Sequence, residues 1–248
     1  MRRILGENEN KYTRGVVAVA AGSDRFPGAA ILTVGGARRG NAGYVKFLST
    51  NQRLHDLVVA RFPDVVPIDS LDNERVDALV LGPGMGEASV IPSGIPLVLD
   101  GAAISLIRER GFQGEHPLTV ITPHEGELHF AGSDAKSPLS QDERERIALA
   151  IAREFGVIVV LKGNRTVIAE PEGEVFTDEI GGAELATAGS GDVLAGLIGS
   201  MLVSIKDGGS ALDLVSRAVT LHSRAGHHAA KTFTSVTAIE VMESLALV

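Results

Sequence analysis

The feature that most constrains the fold is a series of short apolar runs, each ending in a glycine-rich or polar loop. The runs cover residues 16–21, 44–48, 78–81, 97–99, 118–121 and 157–161. Runs this short and apolar, separated by stretches of helix length, are typical of a mostly parallel sheet buried on both faces. We therefore expect an α/β fold with helices on both faces of the sheet. Because no linker, low-complexity segment or internal repeat interrupts the pattern, residues 1–248 are expected to form one domain.

The strongest helix prediction covers residues 141–155. Ser140 and Glu143 match a capping box, Gly156 is a typical C-terminal stop, and an apolar stripe repeats at four-residue spacing (Ile147, Ile151, Phe155). Weaker patterns predict helices at 28–40 and 211–230, and a hairpin of strands 167–169 and 175–177 at an antiparallel edge of the sheet.

Composition excludes several classes of function. The 248 residues include no Cys, so disulfides, a cysteine nucleophile and thiolate metal sites are excluded. A net charge of −8 argues against a broad nucleic-acid surface, and the absence of Trp argues against stacking platforms for bases. Neither a signal-peptide core nor a membrane span is recognisable, so we expect a soluble, cytoplasmic protein that binds neither nucleic acid nor membrane.

The loop before the apolar stretch 193–203 carries the strongest chemical signal. It contains Gly189, Ser190 and Gly191, and a Gly-Ser-Gly turn that opens a helix exposes backbone N–H groups at the positive end of the helix dipole. Such an anion hole suits a phosphate or the charge that develops in phosphoryl transfer. Asp192 would lie in the first turn, ionised and able to accept a hydroxyl proton. The alternative is a helix cap with tight packing. Walker A and GxGxxG patterns are absent.

A second group of loops is predicted at the same edge of the sheet, because ligands of open α/β sheets bind at the carboxyl ends of the strands. The 162–166 loop offers a lysine for phosphate, or else is a hairpin turn with a solvated lysine. The 82–86 loop, GPGMG, permits close approach of a ligand to the backbone, or is simply a tight turn. The five loops of this edge are expected to converge on one cleft.

The remaining polar loop positions have both a chemical and a structural interpretation. His124 and Glu127 follow a predicted strand, where Glu127 could hold Mg²⁺ through water, or the segment is a helix N-terminus capped by Thr122 or His124. Asp100 ends a strand, where a lone Asp is more often a helix cap than a catalyst. The late histidines (His222, His227, His228) are more typical of surface or core positions than of ligands.

In combination these segments resemble one family. They read, in order, AGSDRFPGAA, LGPGMG, VLD, TPHEGE, LKGNRTVIA and ATAGSGDVLAGLIGSML. The set resembles the ADP/ATP-dependent NAD(P)H-hydrate dehydratases, a branch of the ribokinase-like superfamily, from about Lys11 to the late helix. The resemblance implies a ribokinase-like three-layer sandwich. It also implies a repair reaction, in which ADP or ATP with Mg²⁺ phosphorylates the hydroxyl of hydrated NADH or NADPH (NADHX, NADPHX), and loss of phosphate restores the dinucleotide.

The resemblance also assigns roles residue by residue. It implies Asp192 as the base and the backbone of Gly189, Ser190 and Gly191 as the anion hole. It implies nucleotide contacts at Lys162, Gly163, Asn164, Arg165, Thr166 and Gly191. It implies hydrate contacts at Ala29, Ala30, Gly84, Gly86, His124 and Asp192, with Glu127 near Mg²⁺. A homo-oligomer, commonly a tetramer in the family, is implied too, as is a functional link to an epimerase. Many members carry an N-terminal epimerase domain, which we do not expect within residues 1–248.

The chain departs from relatives at two places. Some relatives have an Asp-Ala-Asp-Ala run where this chain has Asp100-Gly101-Ala102-Ala103, and a His-Lys-Gly run where it has Asn10-Lys11-Tyr12. Two other functions share the same loops. One is a ribokinase-like kinase for a vitamin-precursor alcohol, and the other is a nucleotide-binding module without catalysis. An intact Asp192 argues against the second, because binding alone needs no base.

Overall fold

The computed structural model describes residue 6 and residues 8–86, 93–109, 112–116, 118–132 and 137–248. Within these ranges, nine strands form one mixed sheet in the order β3-β2-β1-β4-β5-β6-β7-β8-β9. The strands are β1 (Val16–Ala20), β2 (Tyr44–Leu48), β3 (Val66–Ile68), β4 (Ala78–Leu81), β5 (Leu97–Leu99), β6 (Thr119–Ile121), β7 (Ile158–Leu161), β8 (Val167–Ala169) and β9 (Val175–Thr177). All neighbours from β3 to β7 are parallel, and β8 and β9 are added antiparallel.

Helices cover both faces of this sheet. They are α1 (Pro27–Ala37), α2 (Gln52–Arg61), α3 (Phe112–Glu115), α4 (Gln141–Phe155), α5 (Ser190–Leu202), α6 (Ala211–Ala230) and α7 (Ala238–Ser244), with 3₁₀ helices at Gly101–Arg108, Glu125–Ala131, Ala183–Leu185 and Ile205–Asp207. One face packs against α1, α2, α5, α6 and α7, and the other against α3, α4 and the 3₁₀ helix Gly101–Arg108. The arrangement is a three-layer α/β sandwich, as the apolar runs predict.

Strand β1 shows how one run supplies both cores. Val17 and Val19 belong to the cluster under α1 and α5, whereas Ala18 and Ala20 belong to the cluster on the opposite face. Successive side chains of a strand point to opposite faces, so a strand buried on both sides has no polar position. All five residues of β1 are buried.

Helices α1 and α5 approach unusually closely at paired glycines. A Cβ on Gly36 would lie 2.0 Å from the carbonyl oxygen of Val193, and one on Gly196 would lie 1.9 Å from that of Thr33. Neither backbone atom can yield without moving its helix, so these positions admit only glycine at this separation. The contact packs the C-terminal half of α1 against the first two turns of α5.

Most element predictions are confirmed within one to three residues. The capping box of Ser140 and Glu143 is present, Gly156 ends α4 in a left-handed conformation, and 211–230 is helical throughout. The predicted helix at 28–40 begins at Pro27 and ends at Ala37. The sequence patterns missed α2, β3 and α7, although Asn51 and Thr237 cap α2 and α7 through their side chains.

Strands β1 and β4, both predicted, lie on either side of the point at which the order of strand addition to the sheet changes direction. The chain runs from β1 outward to β3, then returns to β4 on the other side of β1. Ligands of open α/β sheets bind at such a switch point, outside the carboxyl ends of the strands. No helix in the described ranges has the length and apolar character needed to cross a membrane.

Candidate active site

The N-terminus of α5 has the geometry expected of an anion hole. Gly189 is the N-cap residue, and its φ of 89° is left-handed, a conformation that glycine adopts at no steric cost. A Cβ there would also lie 2.3 Å from Leu32 Cδ1. The N–H of Ser190 donates to Thr187 O at 3.2 Å. Because no side chain caps α5, the N–H groups of the next residues in its first turn keep their donors for a ligand. The tight-packing alternative is therefore correct, and the anion hole remains a prediction.

Asp192 lies in the first turn of α5, as predicted, but the helix dipole is not the dominant influence on the pKa of its carboxyl group. Burial, and after it the negative charge of Asp100, raise the pKa of its carboxyl group to about 6, against the opposing effect of Lys162. Asp192 is thus ionised at neutral pH and has a greater proton affinity than a free Asp. A base with a pKa close to the working pH is well matched to general-base catalysis.

The 162–166 loop joins the antiparallel strands β7 and β8, so the hairpin-turn alternative is correct, but its lysine, Lys162, is not solvated. Its Nζ lies 2.7 Å from Asp100 Oδ1, and the side chain is 19% exposed. Nζ also lies 3.2 Å from the position that a Cβ on Gly191 would take. Thr122 Oγ1 donates to the same Asp100 oxygen at 2.5 Å. The ends of β5, β6 and β7 and the start of α5 therefore meet at one point.

Asp100 precedes the 3₁₀ helix Gly101–Arg108, but its side chain does not cap it, so the interpretation of Asp100 as a cap is wrong. The carboxylate is buried and instead binds Thr122 and Lys162. A strand-terminal Asp gives no sequence signal of this partner, because Lys162 lies 62 positions further along the chain.

The 162–166 loop is held from behind by Arg144, a residue that the sequence analysis missed. Arg144 is buried on α4, and its guanidinium donates to the carbonyl oxygens of Leu161 (2.9 Å), Lys162 (3.1 Å) and Arg165 (3.3 Å). It also pairs with Glu125 of the neighbouring loop. A Cβ on Gly163 would lie 2.5 Å from this guanidinium, so glycine is required for the fit. A single arginine in an otherwise apolar helical stripe is the signal that could have found it.

The segment after β6 is a helix N-terminus, which confirms the structural alternative for it. His124 Nδ1 accepts the N–H of Gly126 at 3.0 Å, and Glu127 Oε2 accepts the N–H of His124 at 2.8 Å. His124 remains exposed, with Nε2 3.6 Å from Glu127 Oε2. The cap engages Oε2 of Glu127, and Oε1 is the oxygen available to water. Among the described residues no group of three or more His, Asp or Glu is placed to hold a metal ion.

The 82–86 loop is a turn packed against α1. Met85 donates its N–H to Gly82 O at 3.0 Å, and Gly84 is left-handed. A Cβ on Gly84 would lie 2.4 Å from Ala29 Cβ, and one on Gly22 would lie 2.8 Å from Ala30 Cβ. Ala30 is fully buried, Ala29 is 7% exposed, and no described residue lies within 4 Å of the position that a Cβ on Gly86 would take. The predicted hydrate-contact residues of α1 and this loop thus lie together.

Behind the anion hole, His222 of α6 contacts Ser190. Its Nε2 lies 3.0 Å from Ser190 O and 3.2 Å from Ser190 Oγ. Burial lowers the pKa of His222 to about 4. The ring is therefore neutral, and Nε2 donates to the carbonyl oxygen. His222 is a core residue, as expected, but it also fixes the first residue of α5.

A cavity of about 510 Å³ lies between the loops after β6 and β7. His124 and Gly126 line it on one side, and Lys162, Asn164 and Arg165 on the other. The predicted nucleotide loop thus borders an open space next to the anion hole. Its size suits a nucleotide-sized ligand.

Comparison with known proteins agrees with this geometry. The family model for NAD(P)H-hydrate dehydratase matches residues 17–246. The bifunctional NAD(P)H-hydrate repair enzyme of Mycobacterium tuberculosis is 38% identical over 213 residues, covering 81% of this chain. This chain spans 43% of that relative's length, so it matches about half of the larger protein.

Two solved structures share the fold. The ADP/ATP-dependent NAD(P)H-hydrate dehydratase from Bacillus subtilis, co-crystallised with ATP/Mg²⁺, aligns with a TM-score of 0.86 at 27% identity, covering 98% of this chain and 92% of that one. A ribokinase-like superfamily protein from Enterococcus faecalis aligns with a TM-score of 0.81 at 25% identity, covering 98% and 89%. The three-layer sandwich is therefore ribokinase-like, and the chain belongs to the NAD(P)H-hydrate dehydratase family.

Proposed function

We propose that this chain catalyses the ADP- or ATP-dependent dehydration of (S)-NAD(P)H hydrate back to NAD(P)H. The observation that carries the proposal is the meeting of Asp192, Lys162 and the open N-terminus of α5 at one edge of the sheet. A base, a cation and a set of backbone donors are the groups that phosphoryl transfer to a hydroxyl requires.

In the first step Asp192 removes the proton of the hydrate hydroxyl. The hydroxyl oxygen attacks the terminal phosphorus of the nucleotide, a new P–O bond forms, and the bond to the leaving nucleotide breaks. Lys162 and the backbone N–H groups of Gly189 and Gly191 stabilise the charge on the transferring group. The N–H of Ser190 instead donates to Thr187 O. ADP thereby becomes AMP, or ATP becomes ADP.

In the second step the phosphate ester leaves. The lone pair of the ring nitrogen expels phosphate from the adjacent carbon, and loss of a proton from the next carbon restores the dihydronicotinamide. Phosphate is a far better leaving group than hydroxide, which is why the nucleotide is consumed. The balance is one hydrate and one nucleotide phosphoryl group converted to NAD(P)H and inorganic phosphate.

The loop held by Arg144 is proposed to bind the nucleotide, through Lys162, Gly163, Asn164, Arg165 and Thr166. Bound Mg²⁺ would neutralise charge on the nucleotide phosphates, as the ATP/Mg²⁺ complex of the Bacillus subtilis relative suggests. Glu127 fits an outer position for a hydrated Mg²⁺, because the cap engages its Oε2 and leaves Oε1. Ala29, Ala30, Gly84, Gly86 and His124 are proposed to contact the hydrate.

We also propose a homo-oligomer, commonly a tetramer, and a functional link to an epimerase of the hydrate. The bifunctional relative of Mycobacterium tuberculosis supports the epimerase link. Light scattering of the purified protein measures the oligomer directly, and a monomer at micromolar concentration would contradict it.

The decisive experiment incubates purified protein with hydrated NADH, Mg²⁺ and either ADP or ATP. Recovery of the near-ultraviolet absorbance of NADH is followed, with release of inorganic phosphate as a second signal. We expect nucleotide-dependent recovery in the wild type and a loss of about 10²- to 10⁴-fold in Asp192→Asn, because removing a general base costs that much. Asp213→Asn is the matched control, since Asp213 is an exposed acid in the first turn of α6.

The outcomes separate the candidate functions. Recovery with equal release of phosphate, retained in Asp213→Asn, supports the dehydratase. Accumulation of a stable phosphorylated product from an alcohol, without recovery of NADH, would indicate a ribokinase-like kinase instead. Nucleotide binding that persists without any turnover would indicate a binding module.

A further inference from the structure

Asp100 is a buried carboxylate that the proposed chemistry does not use. Its Oδ1 accepts hydrogen bonds from Lys162 Nζ at 2.7 Å and from Thr122 Oγ1 at 2.5 Å. The residue is 5% exposed. A buried charge is costly unless it is paired, so the contact with Lys162 is the reason that Asp100 can remain ionised there.

The contact fixes Lys162 where it is needed. A lysine side chain has a flexible four-carbon stem, so a free ammonium samples many positions. Here Thr122 Oγ1 holds the Asp100 carboxylate, and this carboxylate holds the Lys162 ammonium 3.2 Å from the Cβ position of Gly191. The cation is thereby kept beside the backbone donors of α5.

The same contact leaves the charges of the site unbalanced. Asp100 and Asp192 are two carboxylates around one ammonium, and both act on each other's charge. When Asp192 takes up a proton, the three groups pass from a net charge of −1 to zero. The repulsion between the carboxylates therefore favours the proton transfer that starts phosphorylation.

Resting on the proposed function, we propose that Asp100 is a positioning residue. It holds the Lys162 ammonium at the N-terminus of α5 and, through its own charge, strengthens Asp192 as a base. Asp100, Lys162 and Asp192 then act as one charged unit.

The first test is the pH dependence of kcat for hydrate repair. The wild-type kcat should fall at acid pH with a midpoint near 6, which is the pKa of Asp192. The charged groups that act on this carboxyl group are Asp100 and Lys162. Asp100→Asn should lower kcat by about tenfold or more with little change in KM for the hydrate, because the Lys162 ammonium loses its anchor and the base is weaker. Its acid limb should move to lower pH. At pH 5 it should retain about threefold more of its own maximal rate than the wild type retains.

Two further variants check the shift of the acid limb, one by an opposite change and one as a control. Lys162→Met removes the cation, so its acid limb should move in the opposite direction, to higher pH. Asp77→Asn is the matched control, because Asp77 lies 3.7 Å from Lys206 at the amino edge of the sheet. It should leave the limb in place. If the acid limb of folded Asp100→Asn stays in place or moves to higher pH, the proposal is overturned. If Asp100→Asn does not fold, an unmoved or lowered limb in Lys162→Met would do so.

A second readout needs no substrate and separates this proposal from the proposed function. The folded state binds the Asp192 proton more tightly than the unfolded state, so stability contributed at this site falls as pH rises from about 4 to about 6. This decline, measured as wild type minus Asp192→Asn, should shrink in the Asp100→Asn background. If the wild type does not repair the hydrate, the proposed function is wrong. The decline in stability still tests the coupling between Asp100 and Asp192 in that case. An undiminished decline would contradict the coupling alone.

Discussion

Two ion pairs of similar burial flank the nucleotide loop, yet their surroundings differ. The side chains of Glu125 and Arg144 are 17% and 7% exposed, and those of Lys162 and Asp100 are 19% and 7% exposed. Arg144 has one carboxylate and three carbonyl oxygens as acceptors, so its charge and its donors are matched. Lys162 instead lies among two carboxylates and the open end of a helix.

The difference appears in the proton affinities. Burial would raise the pKa of Glu125, but hydrogen bonds from Ser137 and Arg144 outweigh it, and the pKa is lowered. For Asp192 burial and Asp100 together raise the pKa to about 6. Burial and the hydrogen-bond partners of a carboxylate therefore decide its proton affinity together. A satisfied pair holds the loop, whereas an unsatisfied carboxylate is available to take a proton.

The largest effect should come from removing Arg144. Arg144→Ala leaves Glu125 buried without its cation and three carbonyl oxygens without a donor, so we expect a loss of about 3–5 kcal/mol in the free energy of unfolding. Denaturant melts followed by circular dichroism measure it. Exposed Arg146, on the same helix, is the matched control, and Arg146→Ala should change stability by less than about 0.5 kcal/mol. Equal losses in both variants would show that Arg144 does not clamp the loop.

Removing the charge of Glu125 should have a smaller effect in the same direction. Glu125→Gln keeps the size of the side chain but weakens a charge-assisted hydrogen bond, so we expect a loss of about 1–3 kcal/mol at pH 7. Because the folded-state pKa is lowered, this contribution is present above the unfolded pKa and is lost as pH falls through the folded one. The free energies of unfolding of the wild type and of Glu125→Gln, measured from pH 7 down to pH 3, should therefore converge. The exposed Glu154→Gln, also on α4, should show no such convergence.

The smallest effect should have the opposite sign. Asp192→Asn removes a carboxylate that is ionised against burial and against Asp100, so we expect a gain of about 1–2 kcal/mol at pH 7. Because the folded-state pKa is raised to about 6, the gain should vanish as pH falls toward 4. Thermal melts across this range test it, with Asp213→Asn as control. A variant that is less stable at pH 7 would contradict the assignment of Asp192 as the strained member of the site.

Local patterns alone predicted most of the fold. Apolar runs such as 78–81 and 97–99 match strands because a strand buried on both faces must be apolar at every position. Ser140 and Gly156 mark the ends of α4 because caps act within one turn of the chain. The short β3 was missed, since three residues containing Pro67 carry little periodicity.

The loops of the site were also recognisable from sequence, because Gly-Ser-Gly before an apolar helix and GPGMG after a strand are local conformational signals. Their convergence followed from the parallel sheet. Capping by His124 was one of the alternatives that the sequence offered, whereas the full burial of Ala30 and the bond from the His124 N–H to Glu127 became visible only in the folded chain.

Tertiary structure decided which side chains of the site meet. The partners are separated by 17 to 62 positions: Asp100 and Lys162, Arg144 and the carbonyl groups of Leu161, Lys162 and Arg165, and His222 and Ser190. No local period links them, because contact at that range depends on the packing of whole elements. The proton affinity of Asp192 belongs to the same class. Its sequence neighbours place it at a helix N-terminus, but burial and the nearby Asp100 set its pKa, and both exist only once the sheet and helices have packed.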